Sequence, residues 1–210
     1  MSDTTQILHE PWPSLSRQRE GFAFGMWCFL GSEVLFFGGL FISYAVYRTL
    51  YPHAFEIASH ETNIFYGSIN TALLLTSSFI MTIALHASQG RMRRMLVFCL
   101  ILTAAFGLAF LLVKGLEYAD DLHKNLLPGP NFALKPDETR LFFALYWVMT
   151  GVHAIHLSVG IALTGSLALL VLSRRLATQS PAVEAIGLYW HFVDTVWIVL
   201  FALIYLPGRP

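Results

Sequence analysis

Five long apolar runs constrain this chain more than any other feature of its 210 residues. A helix that spans the hydrocarbon of a bilayer needs about 20 mainly apolar residues. The runs Phe22–Tyr47, Ile64–His86, Met95–Val113, Leu141–Leu172 and Ala185–Leu206 meet that requirement. They are too long for barrel strands and do not alternate, so helices are predicted; only helices or closed barrels satisfy the backbone in lipid. Apolar residues run all the way round each segment, as in helices surrounded by lipid. The composition agrees, with 56% hydrophobic and 12% charged residues, against roughly 25% charged in ordinary soluble domains. The fold class read from this pattern is all-α, an integral membrane bundle of five transmembrane helices. The first and fourth runs exceed the minimum length and are expected to tilt or to project beyond the bilayer.

The flanks suggest an organisation. Residues 1–21 read as a polar arm, in which Pro11 and Pro13 oppose early helix. The arm lacks a basic segment leading directly into an apolar core and a small-residue cleavage site, so it does not read as a signal peptide. Residues 22–210 form the membrane domain. The turn between the second and third runs carries Arg91, Arg93 and Arg94, and that between the fourth and fifth carries Arg174 and Arg175. Short Arg-rich loops stay in the cytoplasm. This places the arm on the cytoplasmic side and the C-terminus outside. The third helix is expected to continue beyond the membrane, where Asp120 and Lys124 have the favourable i,i+4 order. The stretch "LPGPN" then stops it.

Formal net charge is zero, which gives no basic field for nucleic acid. The two cysteines, Cys28 and Cys99, stand far apart in apolar runs and read as core or lipid-facing residues. No P-loop, dinucleotide turn, GxSxG, CxxCH or CxxC occurs in the sequence. No inverted repeat of the kind found in secondary transporters is evident.

Ionisable residues inside the spans therefore carry the functional argument, because they are costly in lipid and usually face protein or water. Glu33 lies in "CFLGSEVLFFGGLF" with Phe29, Leu30, Phe36 and Phe37 about one turn away. It reads either as a proton-handling carboxyl or as a structural acid bonded to another helix. His153 and His156, in "YWVMTGVHAIHLSVG", are three residues apart and share a helical face. They can bond between helices or contribute to a metal or haem site; the latter would need further ligands such as Glu33, His191 or Asp194. Gly151 and Gly160 flank them and permit close helix approach. His191 and Asp194 repeat the i,i+3 spacing in the last run. Tyr189, Trp190 and Tyr205 stand near its ends and read as interfacial anchors. Lys114 and Glu117 are placed near an interface, where Lys114 can snorkel to water. Asn70, Thr71, Ser77 and Ser78 need no function, since hydroxyls can bond back to their own helix.

The stretches "GSEVLFFGGLFISY", "NTALLLTSS", "KGLEY", "TGVHAIHLSVG" and "YWHFVDTVWIVLFALIYL" occur in this order from about Glu20 to Leu206. Together they resemble subunit III of the haem-copper terminal oxidases, in the family's shorter five-helix form. The long form has two further helices at the start, whose cleft holds lipid; the resemblance implies that the first run here corresponds to the long form's third helix. It further implies a non-catalytic subunit without haem, copper or any other metal of its own. Its partners would be the catalytic subunit I, which holds those cofactors, other oxidase subunits, and bound phospholipid. That enzyme reduces oxygen to water and pumps protons, and subunit III supports proton uptake and durability. Matching positions make Glu33, His153, His156, His191 and Asp194 a buried polar network, with Glu117 as a further match. The setting would be a cell membrane. Two alternatives stay open: an accessory subunit of a nitric oxide reductase system from the same family, and an independent histidine-ligated metal or haem protein.

Overall fold

Helix boundaries follow local chemistry closely at several ends. A computed structural model describes residues 15–207 except residue 131. In it, α1 spans Leu15–Leu50, α2 Pro52–Glu61, α3 Ile64–Gln89, α4 Arg93–His123, α5 Thr139–Leu172 and α6 Pro181–Ile204. Five of these, all but α2, are long and apolar enough to cross a membrane. The chain is therefore an all-α, multi-pass membrane protein.

Side-chain caps open two of the helices, α3 and α6. The Asn63 side chain accepts from the Phe65 amide at 3.0 Å and opens α3. Ser180 accepts from the Ala182 amide and Pro181 takes the first helical position, which its fixed φ favours. That cap starts α6 four residues ahead of the apolar run at Ala185, and α6 ends at Ile204, short of Leu206. At the other end of the chain α1 begins at Leu15, inside the stretch read as a polar arm. The short α2, ten residues long, falls below the length of a membrane span. It starts with Pro52 and buries Ala54, Phe55, Ala58 and Ser59 on one face.

α4 runs on to His123, as the Asp120–Lys124 pattern predicts, and stops with Asn125 in the left-handed region at φ 56°. At the opposite end of the molecule, Arg91 (φ 54°) and Arg174 (φ 61°) hold the corresponding positions after α3 and α5. Hydrogen bonds tie these two turns together. Ser88 Oγ donates to the Thr178 carbonyl at 2.6 Å, Gln179 Nε2 to the Gln89 carbonyl at 3.1 Å, and Arg93 to the Leu172 carbonyl.

In cross-section α3, α4, α5 and α6 pack in sequence and α3 closes the ring on α6. α1 lies outside that ring against α5 and α6, and α2 packs on α5. α1 is held at one end by Tyr44, whose hydroxyl donates to the Leu203 carbonyl at 2.6 Å. Much of its remaining surface is exposed and apolar, including Phe24, Trp27, Leu35 and Ile42.

The ring's tight packing corrects the interfacial reading of the last helix. Tyr189, Trp190 and Tyr205 are only 4%, 0% and 0% exposed. Glycines make this possible. A Cβ on Gly107 would lie 2.9 Å from Trp190 Cη2, and one on Gly67 would lie 2.9 Å from Tyr205 Cδ1. Gly160 likewise faces Trp190, whereas Gly151 has open space around it.

Candidate functional site

Glu33, midway along α1, meets His156 of α5: Oε2 and Nε2 are 3.0 Å apart. Both side chains are partly open, at 18% and 19% exposure. The other ring nitrogen, His156 Nδ1, lies 2.9 Å from the Val152 carbonyl. A carbonyl can only accept, so Nδ1 carries a proton. The Nε2–Oε2 contact then contains a single proton, held as carboxylic acid with neutral imidazole or as carboxylate with imidazolium. Either way the contact links α1 to α5. Phe36 and Phe37 pack on the imidazole, with Phe37 edge-on at 5.1 Å. Tyr189 of α6 adds a third helix by donating to the His156 carbonyl at 2.9 Å.

The remaining residues singled out in the sequence sit elsewhere. His153 and His156 are three positions apart, which rotates them by about 60° on the helix. That is enough to give them different neighbours. His153 is buried between Phe110 of α4 and Trp197 of α6, with ring centroids 5.6 and 5.2 Å away. His191 Nδ1 pairs with Ser78 Oγ at 2.8 Å. Asp194 lies beside Ser78, yet neither of its oxygens has a hydrogen-bond partner among the described residues. Among the described residues no three of His, Cys, Asp and Glu come together as a metal-ligand set.

The densest polar site involves residues that the sequence alone did not bring together. Lys114 is 1% exposed, so it does not snorkel to water; the expectation of an interfacial lysine is corrected. Its Nζ donates to Glu117 Oε2 at 3.0 Å, Tyr146 OH at 3.0 Å and Tyr205 OH at 2.7 Å. Those bonds use all three ammonium donors. Glu117 Oε1 accepts from Tyr205 OH at 2.6 Å, and Tyr146 OH also lies 2.8 Å from Asp121 Oδ2. Four rings surround the ammonium, those of Tyr118, Tyr146, Trp197 and Tyr205, at 4.6–5.7 Å from Nζ to centroid. This is a buried ion pair with its desolvation offset by charge-assisted bonds and ring faces. The i,i+3 spacing of Lys114 and Glu117, with Asp121 one turn further, was the available signal. Tyr146 and Tyr205 gave none, because they come from other helices.

Fold and site define a class: a multi-pass helical membrane protein with ionisable pairs, Lys114–Glu117 and Glu33–His156, set within its bundle. The family described as cytochrome c oxidase subunit III matches residues 14–209. The chain belongs to that family. It is 36% identical over 191 residues to cytochrome c oxidase subunit 3 of Synechocystis sp., covering 87% of this chain and 74% of that protein. It is 34% identical over 192 residues to the protein of the same name from Thermostichus vulcanus, covering 88% and 87%. Cytochrome bo(3) ubiquinol oxidase subunit 3 of Buchnera aphidicola is 27% identical over 187 residues, covering 88% and 93%.

Proposed function

We propose that this chain is the non-catalytic subunit III of a respiratory haem-copper terminal oxidase, with cytochrome c or a quinol as the electron donor of the complex. Its exposed apolar faces pack on the catalytic subunit I and on other oxidase subunits, and the haem and copper reside in subunit I. The chain sits in the cell membrane with its N-terminus in the cytoplasm and its C-terminus outside; the exposed Arg91, Arg94, Arg174 and Arg175 at one end support that orientation. Phospholipid binds as well. An apolar groove of about 650 Å³ between α1 and the α5–α6 pair, lined by Phe22, Met26, Phe29, Leu163 and Ile186, supports an acyl-chain site.

The observation that carries the mechanism is the single-proton Glu33–His156 contact. It is open enough to exchange with a partner surface and closed enough to hold its geometry. In the proposed role it buffers a proton beside subunit I and fixes α1 against α5. His153, His191, Asp194 and Glu117 lie apart from this contact and hold polar positions elsewhere in the bundle.

The test is turnover and inactivation lifetime of the intact complex carrying Glu33→Gln or His156→Ala. Glu33→Gln keeps a hydrogen bond to His156 but cannot exchange the proton. A shortened lifetime during turnover, or an altered pH profile, is expected from it. Unchanged turnover, lifetime and pH profile in both variants would reduce the pair to a structural contact. Mass spectrometry of the co-purifying subunits tests the assignment itself: an oxygen-reducing haem-copper subunit is expected, and a nitric oxide reductase in its place would overturn it.

A further inference from the structure

Three side chains inside the α3–α6 ring lack partners in a way their own helices cannot remedy. Asn70, His153 and Asp194 are 0%, 1% and 3% exposed. Among the described residues nothing bonds to either amide atom of Asn70, either ring nitrogen of His153 or either oxygen of Asp194. Thr103 and Thr164 show the same defect, but a hydroxyl can turn to the carbonyl one turn back. Amide, imidazole and carboxyl have no such simple remedy, and a buried group left unsatisfied keeps the full cost of its desolvation. Native structures leave very few such groups unpaired.

Trp197 relates the three to one another. Its indole packs on the His153 ring at 5.2 Å. Its Nε1 donates to Thr71 at 3.1 Å, the residue after Asn70. Asp194 precedes it by three residues on α6, about 4.5 Å of helical rise. The Ser78 hydroxyl beside Asp194 is shared with His191 Nδ1 and has a single proton to give, so it can serve at most one of the two Asp194 oxygens. The groups differ in what they need. Asn70 must both donate and accept, as must a neutral His153, while Asp194 chiefly accepts. A bound cation would satisfy only acceptors, and the Lys114 ammonium, 5.7 Å from the same indole, opposes it. Water donates and accepts in several directions and is the common partner of such groups in protein interiors.

We propose that the bundle interior around Trp197 is a hydration site, in which bound water bridges Asn70, His153 and Asp194. It adjoins the Lys114 cluster through the Trp197 ring, whose centroid is 5.7 Å from the Lys114 ammonium.

Radiolytic hydroxyl-radical footprinting of the intact membrane complex, read by peptide mass spectrometry, tests this. Radicals made in place from bound water label the side chains that touch it, even buried ones. Trp190 is the internal control, because it is as fully buried as Trp197, with its Nε1 donating to Ser77 Oγ at 3.1 Å. Met92, exposed in the α3–α4 turn, is the reference for bulk water. Rapid labelling of Trp197 with Trp190 silent is expected, and Asn70→Leu should selectively slow Trp197 labelling while leaving Met92 unchanged. A silent Trp197 beside a labelled Met92 would overturn the proposal, as would equal labelling of both tryptophans. Should Asn70→Leu fail to assemble, the Trp197-to-Trp190 ratio in the unaltered complex still decides.

Discussion

Lys114 illustrates how much a remote neighbour changes the meaning of one residue. As part of "KGLEY" it is a lysine near the end of an apolar run. In the bundle it is the centre of a buried ion pair that joins α4 to α5 and α6. Replacing it with Met leaves Glu117 and Asp121 without their cation, which should cost about 3–5 kcal/mol. A lowered thermal midpoint or a loss of assembled complex would register the cost. The double replacement Lys114→Met with Glu117→Leu removes both charges, so a cycle should show it less damaging than the two single costs combined. Strict additivity would mean that the pair is not coupled. Glu33 behaves differently. Its cost in lipid was legible from the first apolar run, and the need for a partner on another helix followed from that. Which partner it takes was not legible, because His156 lies 123 positions away. Nor was the separation of His153 from His156, since shared helical spacing does not specify which neighbouring helix each ring meets.

At the scale of elements, small residues and caps decide how closely the helices approach. Gly107 and Gly115 lie on the same helix but face different surroundings. A Cβ at Gly107 meets Ile161 and Trp190 at 2.9 Å, while one at Gly115 meets nothing within 4 Å. Gly107→Ala should therefore destabilise by about 1–3 kcal/mol through overpacking. Gly115→Ala should stabilise the purified chain by about 0.5–1 kcal/mol, through backbone entropy alone. Equal effects on unfolding would contradict the packing described. Ser180→Ala removes the cap of α6 and should cost about 1 kcal/mol, with increased hydrogen exchange confined to the helix start. The spans themselves were legible, because lipid demands length and apolarity together. The Ser180 cap shifted the start of α6 by four residues, and α2 has no apolar-run signal because a ten-residue helix lying on α5 need not be apolar throughout.

At the scale of the whole molecule, α3–α6 pack into a closed ring and α1 lies against its outside with much of its apolar surface exposed. If the Arg-rich turns lie in the cytoplasm, a reporter fused after Gln89 should be active only as a cytoplasmic enzyme, and one fused at the C-terminus only as an external one. The reverse pattern would invert the topology. What the sequence determined by itself is the class of fold, the approximate spans and the family, because apolar length and ordered local motifs are properties of contiguous chain. The tertiary structure alone decided which polar groups meet and which are left without a partner. Glu33 with His156 and the tyrosines around Lys114 are brought together by helices distant in sequence, while Asn70, His153 and Asp194 are buried with no partner among the described residues. In a low-dielectric interior, a charge or hydrogen-bonding group takes its chemistry from whatever lies within a few ångströms. Sequence spacing within one helix constrains only a fraction of those neighbours.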